Sequence, residues 1–488
     1  MCAKESDIFT LLLLTVTLFG LVVVVFTSDS ISSSATPEPA SALLQQEQVF
    51  GAEANPTGSP IGGGSGYQNI ITPTDPRITF TVTTTSELFA ALPYANTGDV
   101  VYIEEIARID LTNMSGVTVP EGVTLASNRG ATKTFDSEVY SVTVEVSGGY
   151  TVWTHASASD TNDTIWISVD SKEPRRWNVE AAPGGRWING GYHHLSAGQH
   201  TLTVQWHKEG AGVDKVVIVN DTGYIIDAAA TETDSSTVSS GGRISLGAEC
   251  PNLPTALIAG GENVRITGIY LEGPYQTVDN AGRLFYGIYS AHRNLEVDNC
   301  ELLGWNGAAI DLNQTGNVSK FETGGYIHHN YIHHNQGNSL GYGVMVTHGS
   351  VCLVEANYFD YCRHAVAGSG VAGDGYEARY NICGPNWPAP SAHNFDMHGK
   401  PDPSGSGTIA GDRIWIHHNT FMATEPESSF PVMIQGVPLD EAYIHNNWFL
   451  YTQEPPVWQS NGNGNLYVRD NLIGPGGDYQ KEGPILYL

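Results

Sequence analysis

A short pattern that recurs along the second half of the chain is the strongest constraint on its fold. Each copy contains an apolar residue, two polar residues, a ladder residue, any residue and an apolar residue, as in IHHNYI (327–332) and IHHNTF (416–421). The ladder residues of the eight copies are Ile269, Cys300, Asn330, Asn357, Asn381, Asn419, Asn447 and Asn471. Their spacing of 24 to 38 residues, without helical periodicity, is typical of a solenoid with a short strand in each repeat.

The repeat predicts a parallel β-helix. Alternation within each copy places Ile, Val and Phe on one face of a strand, and stacked Asn side chains can hydrogen-bond from coil to coil. At about 4.8 Å per coil, eight coils form a rod on the order of 40 Å long. A second set of strands is expected between the copies, at 286–290, 308–312, 342–346, 364–368, 394–398 and 431–435. Each coil should therefore contain at least two strands.

The repeat is interrupted between Gly130 and Gly241, where strands with a period of two residues alternate with turns. This segment resembles a jelly-roll carbohydrate-binding module of the galactose-binding-like type, above all in LSAGQHTLTV (195–204) and GVDKVVIVND (212–221). Aromatic faces stack on sugar rings. Trp177, Trp187 and Tyr192 lie in polar, turn-like surroundings and are the candidate carbohydrate-binding residues, whereas Trp153, Trp166 and Trp206 lie inside strands and are expected in the core.

The start of the rod resembles pectate-lyase-like right-handed β-helix proteins. The similarity lies in GGGSGY (62–67), the expected capping helix TSELFAALP (85–93), and the strands GDVVYI and VTVPEGVTLAS that follow. The resemblance implies an all-β, right-handed parallel β-helix, a single-stranded solenoid, with a β-sandwich or jelly-roll domain inserted in it. That fold hosts lyases, hydrolases, epimerases and inert surface proteins, so it does not decide the reaction.

Residues 8–27 carry no charge and are numerous enough to span a bilayer. They predict a cleaved signal peptide or an uncleaved membrane anchor, and either would export the rest of the chain. The expected domains are a signal peptide or anchor at 1–35, a flexible linker at 36–65, the β-helix cap and first coils at 66–130, the inserted jelly roll at 131–240 and the main rod at 241–488. The expected location is extracellular, either secreted or anchored to the outer face of the cell membrane.

Two further features concern possible covalent modification. Asparagine glycosylation sequons occur at Asn113, Asn162, Asn220, Asn313 and Asn317. Beyond residue 2 the chain has an odd and sparse set of cysteines, which predicts buried thiols rather than a disulfide framework: Cys250, Cys300, Cys352, Cys362 and Cys383.

The charge balance bears on the partner. With 51 acidic and 22 basic side chains the net charge is −29, which argues against nucleic acid as a ligand. It leaves an extracellular polysaccharide or glycan open, including an acidic one, because a few local Arg and Lys residues suffice for that ligand. The membrane is expected as a partner only through the N-terminal segment.

The string SAHNFDMHGK (391–400) is the most unusual in the chain. In a strand, Phe395 and Met397 point into the core, so Asp396 and His398 project outward together. An exposed Asp/His pair can do general acid/base work near neutral pH. Small neighbours in the preceding coils, such as Ala367, would leave a shallow groove beside the pair.

Basic side chains are expected around this groove. Arg363 and His364 begin the preceding strand, and Arg379 lies in the repeat between the two strands. An Arg can bind a sugar carboxylate through two hydrogen bonds and so lower the cost of removing the carbon-5 proton. The sequence predicts no specific metal-ligating residues. Ca²⁺ is the one cofactor that it leaves open.

NFDMH also resembles the GFDPH string of alginate (mannuronan) carbon-5 epimerases, which share the β-helix fold. On that resemblance Asp396 and His398 match the family's catalytic Asp and His, while His393 stands in place of a Tyr and Met397 in place of a Pro. The resemblance implies a lyase or carbon-5 epimerase on uronate-containing glycans, with His398 or His393 as the acid/base. A glycosidase, a non-catalytic surface protein for adhesion or envelope structure, and a pure glycan-binding protein remain alternatives.

Overall fold

The computed structural model of this chain describes residues 49–487 with short gaps. The gaps are 106, 115, 132–134, 145, 159–163, 171–174, 179–181, 208–210, 221–224, 228, 233–238, 251–253, 279–281, 317–318, 339, 388–392, 424–429, 452–454, 475–477 and 483–484. The expected signal peptide or anchor therefore lies outside the described residues. Within them no helix is long and apolar enough to cross a membrane.

Two long sheets of parallel strands run the length of the rod. Sheet 1 contains Ile78–Val82, Val100–Ile103, Arg108–Asp110, Thr124–Ala126, Arg243–Ser245, Arg265–Thr267, Tyr270–Glu272, Leu295–Asp298, Glu301–Leu303, Gly325–His328, Tyr331–His333, Val351–Glu355, Tyr358–Asp360, Gly375–Arg379, Ile382–Cys383, Arg413–His417, Thr420–Phe421, Glu441–His445, Trp448–Phe449, Leu466–Ile473 and Asp478–Glu482. Sheet 2 contains Val117–Val119, Thr255–Ala259, Tyr286–Ser290, Ala308–Asn313, Tyr342–Thr347, His364–Gly368, His393–Met397, Val432–Ile434, Val457–Gln459 and Ile485–Tyr487. The pairing is parallel throughout, except that Asp478–Glu482 runs antiparallel to its neighbour. The fold is the predicted parallel β-helix.

Each coil of the main rod contributes three strands, one more than the minimum expected. Sheet 1 receives two strands from each coil, such as Gly325–His328 and Tyr331–His333, and sheet 2 receives the third, such as Tyr342–Thr347. The predicted strands of sheet 2 agree with the observed bounds to within one residue. Alternate side chains from all three columns fill one continuous apolar core.

The corner between the two strands of sheet 1 carries the asparagine ladder. The Oδ1 atom of each ladder residue accepts the backbone N–H of the residue one coil earlier, at 2.8–3.0 Å from Asn330 to Asn471. The residue before each ladder Asn adopts a left-handed conformation, as in His329 (φ 53°) and His418 (φ 53°). The predicted coil-to-coil bonding of the Asn side chains is therefore confirmed.

The remaining elements of the rod are short helices, 3₁₀ turns and one hairpin. The helix Thr85–Ala91 lies within the helix expected at 85–93. It begins after Thr84, whose side chain forms a capping box with that of Glu87. A second helix covers Phe321–Gly324, 3₁₀ turns cover Ala52–Ala54 and Leu92–Tyr94, and an antiparallel hairpin joins Lys400–Pro401 to Thr408–Ile409. The five cysteines of the described part of the rod are buried and lie outside any disulfide, as predicted.

The inserted segment forms a β-sandwich of antiparallel strands. Sheet 3 contains Phe135–Val144, Thr164–Val169, Arg175–Asn178, Gly198–His207 and Ala229–Glu232, and sheet 4 contains Gly148–Ala158, Ala182–Leu195, Ala211–Asn220 and Ile225–Asp227. The sandwich has its own apolar core. Its two ends meet where Gly130 N–H donates to the Ser239 carbonyl at 2.8 Å and Ser239 N–H donates to the Ala131 carbonyl at 2.9 Å. Both ends therefore leave the rod at one point.

Residues 49–67, which we call the strap, run along the corners of the rod. Gly51 N–H donates to the Asn446 carbonyl, Ala52 N–H to the Thr420 hydroxyl, and Gly64 N–H to the Asn299 side chain, at 2.7–2.9 Å. The strap therefore bridges coils far apart in sequence. Over 49–65 this differs from the flexible linker expected at 36–65, because repeated left-handed corners expose carbonyl groups that a neighbouring chain can bind. Residues 36–48 of that linker lie outside the described residues.

Candidate active site on the outer face of sheet 2

The strand His393–Met397 positions the candidate site. Phe395 and Met397 are fully buried in the core of the rod, so Asp396 lies on the opposite face of sheet 2. Asp396 pairs in register with Ala367 of the preceding coil, and Ala367 pairs with Met345 before it. The predicted alternation and the small neighbours are confirmed.

Asp396 is buried rather than exposed in a groove. Its side chain has no accessible surface, and both carboxylate oxygens accept from the Gln435 amide at 2.9 and 3.0 Å. His398 Nε2 lies 2.9 Å from Asp396 Oδ2 and is 31% exposed. The buried carboxylate therefore holds His398 in place by a hydrogen bond, and the partly exposed imidazole is the group that a ligand can reach.

The proton balance at Asp396 follows from these contacts. Burial by itself raises the pKa of a carboxyl group. The hydrogen bond with His398, and the attraction of the neighbouring imidazoles in their protonated forms, outweigh this, so the pKa of Asp396 lies well below its usual range. Asp396 therefore stays ionised and acts as an acceptor, not as a proton donor.

His364 lies behind this pair and is neutral. Burial lowers its pKa to about 3. Its Nε2 lies 3.0 Å from the Arg363 guanidinium and 3.5 Å from Asp396 Oδ2. Its Nδ1 lies 3.0 Å from the His393 carbonyl oxygen and 3.1 Å from the His393 backbone N–H. Arg363 also contacts the Tyr342 hydroxyl at 3.2 Å. Arg363 and His364 therefore meet the Asp396–His398 pair, as expected from the sequence.

His393 lies at the opposite side of His364. The two rings stack with centroids 5.4 Å apart, and His393 stacks in turn on Phe430 at 6.1 Å. Burial lowers the pKa of His393. A neutral, stacked His393 is held in a fixed position beside the site, which leaves His398 as the better acid/base.

Arg379 does not join the site. It lies on sheet 1, where its guanidinium binds Glu355 at 2.6 Å and Glu377 at 2.7 Å. Its strand, Gly375–Arg379, follows the corner after Ser369, so its outer face is not the face that carries Asp396. The cluster around Asp396 therefore includes Arg363, through its contact with His364, but not Arg379.

One donor set at the site has the composition of a metal centre. A nitrogen of His364, an oxygen of Asp396 and a nitrogen of His398 all lie within 4.8 Å of one another. The Arg363 guanidinium lies 3.0 Å from His364 Nε2 and places a positive charge beside the position that a cation would take. The residues therefore fit an acid/base pair better than a cation site, and Ca²⁺ prefers a richer set of oxygen ligands.

The sandwich separates the three candidate carbohydrate-binding residues. Trp187 (45% exposed) and Tyr192 (55% exposed) both lie on the strand Ala182–Leu195. Trp177 instead packs against the sandwich core, and its indole nitrogen is buried. Trp166 is buried as predicted, whereas Trp153 is only half-buried, opposite Asn189 on the neighbouring strand.

Gln435 is the main site residue that sequence reasoning missed. It follows the strand Val432–Ile434 and lies one coil beyond His398. Its position in the string PVMIQ is a usable signal, because the residue one coil later in the same column contacts the same side chains.

Comparisons with known proteins do not assign this chain to a family. No protein-family model matches the chain, and no curated protein matches it. A solved structure of the catalytic unit of a thermostable GH87 alpha-1,3-glucanase from Streptomyces thermodiastaticus strain HF3-3 is 11% identical, covering 72% of this chain and 86% of that chain with a TM-score of 0.27. The catalytic domain of a GH87 alpha-1,3-glucanase in complex with nigerose is 11% identical, covering 72% and 85% with a TM-score of 0.16. The assignment of the β-helix rests on the strand register of this chain.

Proposed function

We propose that this protein is an exported enzyme that processes an extracellular polysaccharide by general acid/base chemistry. The observation that carries the proposal is the pair formed by buried, ionised Asp396 and partly exposed His398 on the outer face of sheet 2. A carboxylate that holds one imidazole nitrogen leaves the other nitrogen free to take up or deliver a proton.

The substrate class follows from the neighbours of this pair. Arg363 lies in the same cluster and can bind a uronate carboxylate, which makes the carbon-5 proton of that sugar easier to remove. His398 takes that proton. In a lyase, the bond from carbon 4 to the glycosidic oxygen then breaks with its electron pair, a double bond forms between carbons 4 and 5, and the proton held by His398 passes to the leaving oxygen. In an epimerase, a proton returns to carbon 5 from the other face.

A hydrolase fits the site less well. Hydrolases of this kind need two carboxyl groups, about 5–9.5 Å apart. Asp396 is the only acidic residue on the three neighbouring strands His364–Gly368, His393–Met397 and Val432–Ile434. Asp311 lies three coils away, roughly 14 Å at the spacing of paired strands.

The sandwich favours a second, accompanying function. Trp187 and Tyr192 present exposed aromatic surface on one strand, and such surface stacks on sugar rings. We propose that the sandwich holds the polymer while the rod acts on it.

The test is an activity screen on uronate and neutral polysaccharides, following ultraviolet absorbance of the new double bond, reducing ends and, by NMR, the configuration at carbon 5. The His398→Ala variant should lose activity by at least about two orders of magnitude. The matched control is His417→Ala, which removes a half-buried imidazole from sheet 1. Absence of all three signals for the wild type, or equal activity of His398→Ala, would refute the proposal.

A further inference from the structure

A second carboxyl group on sheet 2 is buried without a charged partner. Asp311 is only 7% exposed on the strand Ala308–Asn313, and its Oδ1 has no hydrogen-bond partner. No ion pair reaches it among the residues that the structure describes. A buried carboxyl group in this state is costly, and an Asn of the same shape would avoid that cost. A carboxyl group in such a buried position is therefore a candidate for a functional role.

The surroundings of Asp311 are aromatic and apolar. Tyr289 precedes it in register and Met345 follows it. Tyr286 lies one column to the side, and the titratable groups coupled to Asp311 are Tyr286 and Tyr289. The hydroxyl of Thr347, from the following strand, is the remaining polar neighbour. Burial raises the pKa of Asp311 to about 7, so near neutral pH the group carries a proton that it can donate.

Asp311 also lies on the same face and in the same column as Asp396. The register runs from Asp311 through Met345 and Ala367 to Asp396 without a shift. A polymer that lies along the rod with one sugar at His398 therefore passes over Asp311, roughly 14 Å away.

We propose that Asp311, with Tyr286 and Tyr289 beside it, is a binding subsite for a second uronate of the same polymer. The inference rests on the proposed function, which places a uronate at His398. The protonated carboxyl group of Asp311 donates a hydrogen bond to the uronate carboxylate, and the tyrosine rings contact the apolar face of the sugar. Ionised Asp311 repels the same carboxylate, so the subsite binds the polymer on the acid side of neutrality.

The test is binding of uronate oligosaccharides of graded length to the full chain, measured by calorimetry. For a group with a pKa near 7, the dissociation constant should rise about tenfold between one pH unit below and one above that value. Asp311→Asn keeps a donor and loses the charge, so it should bind with little pH dependence. Asp311→Ala should bind long oligosaccharides several-fold more weakly than the wild type does. This loss should appear only with oligosaccharides long enough to reach from His398 to Asp311.

The matched control is Asp440→Asn, which changes an exposed carboxyl group and should bind as the wild type does. The subsite is refuted if Asp311→Ala binds every oligosaccharide as tightly as the wild type, or if no uronate oligosaccharide binds the wild type. It is refuted as a uronate subsite if Asp311→Ala weakens neutral oligosaccharides equally. Turnover is scored separately. pH-dependent binding without turnover would refute only the proposed reaction, and turnover that is indifferent to Asp311→Ala would refute only the subsite.

Discussion

Replacement of Asp311 by Asn should change how the stability of the protein depends on pH. An Asp in an unfolded chain has a pKa of about 4, whereas burial raises the pKa of Asp311 to about 7 in the folded protein. The folded state therefore binds this proton more tightly than the unfolded state does. The stability that this proton contributes is complete below about pH 4, declines as the pH rises and is lost above about pH 7.

The size of the effect follows from the shift. A difference of about three pH units, at 1.36 kcal/mol each, lowers the free energy of unfolding by about 4 kcal/mol between these limits. Because Asp311 is almost fully buried, solvent screening does not reduce this figure much. Asn carries no such proton. The stability of Asp311→Asn relative to the wild type should therefore rise by about 4 kcal/mol from about pH 4 to pH 7.

The assay is urea unfolding followed by tryptophan fluorescence, for the wild type and the variant at matched pH values. The difference between the two proteins isolates Asp311, because every other titrating group is shared. Asp440→Asn, which alters an exposed carboxyl group, is the matched control. The inference that Asp311 is protonated near neutral pH would be refuted if the free energy of unfolding of Asp311→Asn, relative to the wild type, did not change between about pH 4 and pH 7. A relative stability that falls as the pH rises would refute it as well.

Four further substitutions test other features. Asn419→Ala removes one step of the ladder and leaves buried backbone groups of two coils unbonded, so it should cost about 2–4 kcal/mol of stability, measured by urea unfolding. Gly370→Ala places a methyl group against the His398 carbonyl at a left-handed position, so activity should fall while circular dichroism stays unchanged. Trp177→Ala should destabilise the sandwich by about 3 kcal/mol or more in thermal unfolding, whereas Trp187→Ala should only weaken retention on polysaccharide gels.

Contrary results for Asn419→Ala, Gly370→Ala and Trp187→Ala would refute the reasoning behind them. An Asn419→Ala protein as stable as the wild type would mean that the ladder does not hold the corner. Full activity of Gly370→Ala would mean that the backbone of His398 need not be held in place. Equal gel retention of Trp187→Ala and the wild type would remove this tryptophan from the glycan-binding surface.

The repeat was readable from the sequence because each of its parts has a local cause. Apolar alternation sets the faces of a strand, and an Asn at a fixed place in every copy can bond only to its counterpart in the next coil. For the same reason the opposite orientations of Phe395 and Asp396 could be predicted from strand alternation alone.

The cover over Asp396 could not be predicted in this way. It depends on Gln435 from a later coil and His364 from an earlier one, and the chain between coils varies in length. Arg379 was misplaced for a related reason. The sequence shows that its strand lies between two strands of sheet 2, but the corner that follows Ser369 decides that the strand faces another side of the rod.

The strap gives the rod a property that stacked repeats lack. In a simple solenoid each coil contacts only its neighbours, so the array can fray from either end. Here Ala52 bonds to Thr420, a partner 368 residues later in the chain. Loop closure over that distance must come late, after the coils that form the binding corners have stacked. During synthesis on the ribosome, the strap emerges long before the corners that bind it have been made. Its binding to those corners is therefore a late step in the assembly of the rod.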